Sequence, residues 1–139
     1  MRHLRLKDQS EGDPALKAKI LDGGEFDLKQ DVLNALRMRL KGPVLVPGDA
    51  GYDESRTVWN AMIDRKPALV ARCLGVADVI ACVQFAREHN LLLCIKGGGH
   101  NIAGLATAEG ALMLDMSLAL TRTAPPLPIK KIPPAWQLV

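Results

Sequence analysis

Between residues 27 and 41, apolar side chains recur at every fourth position: Leu28, Val32, Leu36 and Leu40, with Leu33 beside them. That spacing predicts an amphipathic helix. Asp27 is placed to cap its start, Arg37, Arg39 and Lys41 suit the negative end of its dipole, and Gly42 suits a left-handed exit. After Pro43, the short run Val44-Leu45-Val46 reads as a strand, and Pro47-Gly48-Asp49-Ala50-Gly51 as a turn. Residues 52–60 read as a short helix and residues 68–72 as a buried strand. A second amphipathic helix is predicted from Val76, Val79, Ile80, Val83 and Ala86, which share one face at helical spacing, with Asn90 as its C-terminal cap. The uninterrupted apolar run 91–95 suits a strand covered on both faces. A further strand, 111–114, follows a glycine-rich connection. Strand, helix, strand, glycine loop, strand is the order of an α/β layer that opens with a βαβ unit.

The two ends differ from this middle. Residues 1–24 are polar and mixed in charge, punctuated by Gly12, Pro14, Gly23 and Gly24, and read as a loose leader. Beyond Leu118, five prolines fall between Pro125 and Pro134. Proline removes backbone donors and disfavours helix, so 119–139 is expected to be an extended or disordered tail. The pattern of the middle stops there, as a frameshift or truncation would leave it, the other explanation being a genuinely short protein.

Composition narrows the function classes. A chain of 139 residues suffices for one compact domain. The net charge of +3 comes entirely from Arg122, Lys130 and Lys131, because no acidic residue follows Asp115. A neutral body with three late cations lacks the dense basic stripe of a nucleic-acid binder. No apolar run approaches a membrane span, and no apolar segment follows the charged N-terminus as in a secretory signal. Cys73, Cys82 and Cys94 form no CxxC pair, so they read as small buried apolar residues rather than a disulfide framework or, with His100, a metal site. The expectation is a soluble, cytoplasmic protein with neither nucleic acid nor membrane as partner.

The chemistry concentrates after residue 95. Gly97-Gly98-Gly99 follows an apolar strand and Lys96. Glycines let the backbone approach a ligand with no Cβ in the way, and successive N–H groups can form a concave nest for phosphate oxygens. Two familiar phosphate loops are excluded. No Gly-Lys-Ser/Thr follows, and GxGxxG fails at Ile102 counted from Gly97 and at Asn101 counted from Gly99.

The full string, Ile95-Lys96-Gly97-Gly98-Gly99-His100-Asn101-Ile102-Ala103-Gly104, resembles the flavin-attachment motif of FAD-linked oxidases with a PCMH-type FAD-binding domain, in particular the berberine-bridge-enzyme-like branch. Further strings occur in that family's order: Pro43-Val44-Leu45, Pro47 to Asp53, Arg56, Trp59-Asn60, Pro67 to Cys73, Ala77-Asp78-Val79 and Phe85-Ala86-Arg87-Glu88. Read individually, these outer strings make an ordinary turn at Pro47–Gly51 and a core aromatic at Trp59. The resemblance covers roughly residues 28–118. It implies an incomplete PCMH-type FAD-binding subdomain of α/β (α+β) class, a small sheet with flanking helices, with 25–118 as the N-terminal part of the domain. It implies that Gly97, Gly98, Gly99, His100, Asn101, Ile102 and Gly104 bind FAD, with the loop backbone on the pyrophosphate and His100 joined covalently to the flavin 8α-methyl carbon. Lys96 stands where Arg is common and would keep a charge near the phosphates. No cysteine follows His100, so the second, cysteinyl attachment of many relatives has no counterpart here. Full-length relatives oxidise an alcohol, sugar or similar carbon centre, and this chain alone is expected to be inactive. Two other readings stand beside this one: a non-catalytic phosphate- or nucleotide-binding fragment, and an interaction peptide using Pro125–Pro134 as a polyproline ligand.

Overall fold

The computed structural model describes residues 15–121. It opens with a hairpin. Strand β1 (Leu16–Lys19) pairs antiparallel with β2 (Glu25–Leu28), and Gly23 takes a left-handed φ of 86° in the connecting turn. Ala18 and Leu28 are the buried positions. The hairpin docks on the body through Leu21 N–H to Asn90 O and Leu92 N–H to Lys19 O. The later part of the expected loose leader is therefore ordered strand. Its alternation of apolar residues with lysines, Leu16 to Ile20, fits a strand but spans only a few residues, too short a signal to read alone. Residues 1–14 lie outside the described residues.

Helix α1 (Gln30–Arg39) begins later than expected, because Asp27 belongs to β2, and Lys29 holds the N-cap position without a side-chain bond. The helix buries Leu33 and Leu36. Its exit is extended at Leu40 rather than left-handed. Gly42 serves a different need: a Cβ there would lie 1.8 Å from the Arg72 carbonyl oxygen, so glycine is required for the chain to pass against the sheet.

Four strands form the main sheet: β3 (Val44–Leu45), β4 (Leu69–Arg72), β5 (Leu93–Lys96) and β6 (Leu112–Asp115), in the order β3-β4-β6-β5. β3 runs antiparallel to β4, whereas β4 and β5 both lie parallel to β6. Side chains alternate across the sheet. Leu69, Ala71, Leu112 and Leu114 join the core with Leu33, Leu36, Cys82 and Phe85 on one face. Val70, Met113, Cys94 and Tyr52 pack on the other. All of β6 is buried. It is β6, not β5, that is covered on both faces: β5 is an edge of the described sheet, and Ile95 is 55% exposed.

Helix α2 (Tyr52–Arg56) is shorter than expected, and helix α3 (Val76–Glu88) connects β4 to β5. The buried face of α3 also differs from expectation. It carries Asp78, Cys82, Phe85 and Ala86, while Val76 is 75% and Ile80 52% exposed. Cys82 is buried, as its reading as a small apolar residue expects, but the carboxylate of Asp78 is buried on the same face. The helix ends in a Schellman turn: Asn90 takes φ 53°, its N–H reaches Arg87 O, and Leu91 N–H reaches Ala86 O at 2.8 Å. The last element is α4 (Ser117–Thr121), so helix continues into the first residues of the expected tail. Residues 122–139, and with them the proline segment, lie outside the described residues. No described helix is long and apolar enough to cross a membrane.

Candidate functional site

The three parallel strands end together. Arg72, Asp115 and Lys96 stand in one register row at the C-terminal ends of β4, β6 and β5. Open α/β sheets place their ligands at such ends. Asp115 is buried and accepts from Arg72 Nε at 3.2 Å and from the Ser117 amide at 3.1 Å. Lys96 donates its ammonium to the Ser55 carbonyl of α2 at 2.7 Å. That bond anchors it to α2, where the resemblance had suggested a charge serving the phosphates.

The glycine loop leaves β5 at this end. The backbone N–H groups of Gly97, Gly98, Gly99 and His100 donate to no group among the described residues. Gly97, Gly98, Gly99, His100 and Asn101 line a cavity of about 270 Å³ together with Ile95, Leu105 and Ala106. A Cβ at Gly97 would meet nothing within 4 Å, so the space before it is open. Gly99 needs its glycine: its φ is 73° and it is buried. No helix follows the loop; residues 101–110 are turns. An anion held here would rely on loop amides rather than on a helix dipole.

The remaining expected site residues divide. His100 is exposed and lines two cavities, the one before the glycines and a second of about 330 Å³ with Trp59, Asn60, Ala61, Met62 and Ile102. Ile102 is 84% exposed and lines only that second cavity among those described. Asn101 builds the turn: its carbonyl accepts from Gly104 N–H and its Oδ1 from Leu105 N–H. Gly104 is buried at φ 71°, and a Cβ there would lie 2.2 Å from Ile63 Cδ1. In the turns that follow, Thr107 Oγ1 is buried with no hydrogen-bond partner among the described residues. Loop amides without acceptors among the described residues and open space before Gly97 together fit a polar, phosphate-bearing ligand.

Sequence reasoning missed the segment that braces this loop. Residues 58–65 run alongside it between α2 and β4. Trp59 N–H donates to Gly99 O at 2.9 Å, Asn60 Nδ2 to Ile102 O at 3.2 Å, and Arg65 Nη1 to Gly104 O and Thr107 O, each at 2.9 Å. Arg56 ties the segment back to α2 by binding Asp53 and Asp64, and these bonds hold its guanidinium charged well above the usual range. Trp59 is 78% exposed, which corrects its reading as a core aromatic. The adjacency of Trp59-Asn60 was the available signal, but which loop they meet is a tertiary fact.

The cysteines take no part in the site as described. All three are buried and free. Cys94 is pushed up to about 11 by burial. The Cys73 thiol donates to the Ala71 carbonyl, and the neighbouring Cys73 together with burial pushes the Cys82 thiol up.

Part of the chain is similar to known proteins. Residues 67–125 match the family described as FAD binding domain. The (R)-6-hydroxynicotine oxidase of Paenarthrobacter nicotinovorans is 36% identical over 84 residues, 60% of this chain and 18% of that protein. Among solved structures, 6-hydroxy-D-nicotine oxidase from Arthrobacter nicotinovorans superposes with TM-score 0.54 at 37% identity, covering 57% of this chain and 17% of that one. Carbohydrate oxidase from Microdochium nivale superposes with TM-score 0.53 at 28% identity, covering 60% and 18%. Over these stretches the chain is similar to an FAD binding domain and to proteins named as oxidases. It spans less than a fifth of the length of these relatives.

Proposed function

We propose that the amides of Gly97, Gly98 and Gly99 hold the FAD pyrophosphate and that His100 is the point of covalent flavin attachment. The observation that carries this reading is the run of loop N–H groups without acceptors among the described residues, lining a cavity at the end of β5. Amides held by a rigid strand on one side and a braced turn on the other are preorganised for anionic oxygens, with little reorganisation on binding. Asn101 and Gly104 shape the turn, and Ile102 offers an apolar contact. His100 lies directly beyond the glycines, so the backbone that fixes the phosphates also limits where its imidazole can go. A neutral imidazole is a competent nucleophile.

Bound FAD supplies hydride acceptance, and the protein supplies binding and orientation. The protein of which this FAD-binding segment is characteristic is, on this proposal, a flavin-dependent oxidoreductase acting on an alcohol, sugar or similar carbon centre. The relatives named as oxidases of hydroxynicotine and carbohydrate support that breadth. The test is flavin absorbance before and after acid precipitation of the chain loaded with FAD. Flavin that survives precipitation in the native sequence and not in His100→Ala, with non-covalent binding retained in the variant, supports the assignment. Flavin surviving equally in His100→Ala removes His100 from the role.

A further inference from the structure

Trp59 is a large aromatic left 78% exposed, so core burial does not account for its place. Its ring instead lies against that of His100, with centroids 5.4 Å apart and planes inclined by 46°. The backbone beneath is fixed independently of the ring. Trp59 N–H binds Gly99 O, Val58 is buried, and Asn60 reaches Ile102 O. Ile63 fills the space before Gly104, and Arg65 holds two carbonyls of the following turn. The indole therefore projects from a braced segment onto an imidazole that carries no side-chain hydrogen bond among the described residues.

We propose that Trp59 is a positioning residue for His100, holding the imidazole between the glycine cavity and the neighbouring cavity in an orientation ready for bond formation to the flavin. This rests on the reading of His100 as the attachment point. In that step a ring nitrogen of His100 forms a bond to the 8α carbon. One C–H bond of the methyl group and the imidazole N–H are lost, and the two hydrogens with two electrons pass to dioxygen, giving hydrogen peroxide. The chain contributes orientation, and a misplacement of about 1 Å costs on the order of a hundredfold in rate. A freely rotating imidazole also has to be ordered each time, whereas one packed against an indole is ordered beforehand.

The prediction separates a positioning role from a structural one. Trp59→Ala keeps the backbone bond to Gly99, so FAD uptake by the full chain stays within about twofold of the native sequence, while covalent attachment slows by at least about tenfold. Trp59→Phe keeps an aromatic face and restores the rate to within about threefold. The second readout needs no flavin: the nuclear magnetic resonance signals of the His100 ring protons lose their indole ring-current shift in Trp59→Ala. Native attachment rates in Trp59→Ala, or unmoved His100 signals, overturn the inference and leave the His100 assignment standing. An absence of covalent flavin in the native chain loaded with FAD overturns both.

Discussion

Asp78 sits in the first turn of α3, buried, and accepts three backbone N–H groups: Lys41 at 2.9 Å, Gly42 at 3.0 Å and Leu74 at 2.9 Å. It joins the end of α1 to the turn between β4 and α3, where the N-cap residue of α3, Gly75, supplies no side-chain cap. Replacement by Ala leaves those donors unmatched. Lys41 is exposed and Leu74 half-buried, so water can serve their amides in part, while Gly42 is buried. With about 1–3 kcal/mol for a buried orphaned donor and less for wetted ones, Asp78→Ala is expected to cost about 3–4 kcal/mol, a large share of the about 5–15 kcal/mol that holds a domain folded. Asp78→Asn keeps one acceptor oxygen and is expected to cost about half as much. Burial alone would raise the Asp78 carboxyl; the three N–H groups more than offset that and leave it below its ordinary value. A depressed carboxyl stabilises the fold fully above its unfolded pKa and ceases to do so as pH falls through the lower folded value. Urea unfolding from neutral to strongly acidic pH should therefore show the native and Asp78→Ala curves converging at the acid end. A cost below about 1 kcal/mol, or a difference unchanged into strong acid, would refute the role.

Gly104→Ala combines a φ of 71° with a Cβ only 2.2 Å from Ile63 Cδ1, so a loss of about 2–4 kcal/mol is expected in denaturant unfolding. Adding Ile63→Ala should recover the clash and leave the backbone part, about 1–2 kcal/mol; no recovery would show that the contact is unimportant. Cys73, Cys82 and Cys94 are buried, with Cys94 raised to about 11, so thiol titration of the folded chain near neutral pH should be slow and become fast in urea. The edge of β5 with exposed Ile95, together with exposed Val76 and Ile80, should make the isolated chain self-associate as its concentration rises. A monomer throughout in analytical ultracentrifugation would contradict that.

The main strands were legible because buried strands leave short apolar runs in the sequence: 68–72, 91–95 and 111–114 each fall on or within a residue or two of β4, β5 and β6. Which of them lies at the centre was not, since β5 and β6 are equally apolar and only their order in the sheet separates them. The orientation of α3 was misjudged because Asp78 is counted as polar, although three amides allow it to be buried. The first hairpin is hard to read because its alternation of apolar residues with lysines spans only a few positions next to a polar stretch. Gly97–Gly99 and His100 were legible as a motif and as a loop at a strand end. The braces from Trp59, Asn60, Ile63 and Arg65 were not, since they cross the chain by about forty positions and depend on packing. Gly98 also proves a poor probe of the cavity, because a Cβ there would press on the His100 ring at 2.7 Å.

Gly97 is the better probe, as a side chain there meets open space and would stand where the phosphates belong. The decisive measurement is FAD affinity by fluorescence titration of the native chain and of Gly97→Val, with thermal unfolding of both as a control. The expected result is saturable FAD binding by the native chain, weakened at least about tenfold in Gly97→Val, with unfolding curves that superpose. Equal FAD affinity in the two chains, or none in a folded native chain, would contradict the assignment of this loop as the flavin site.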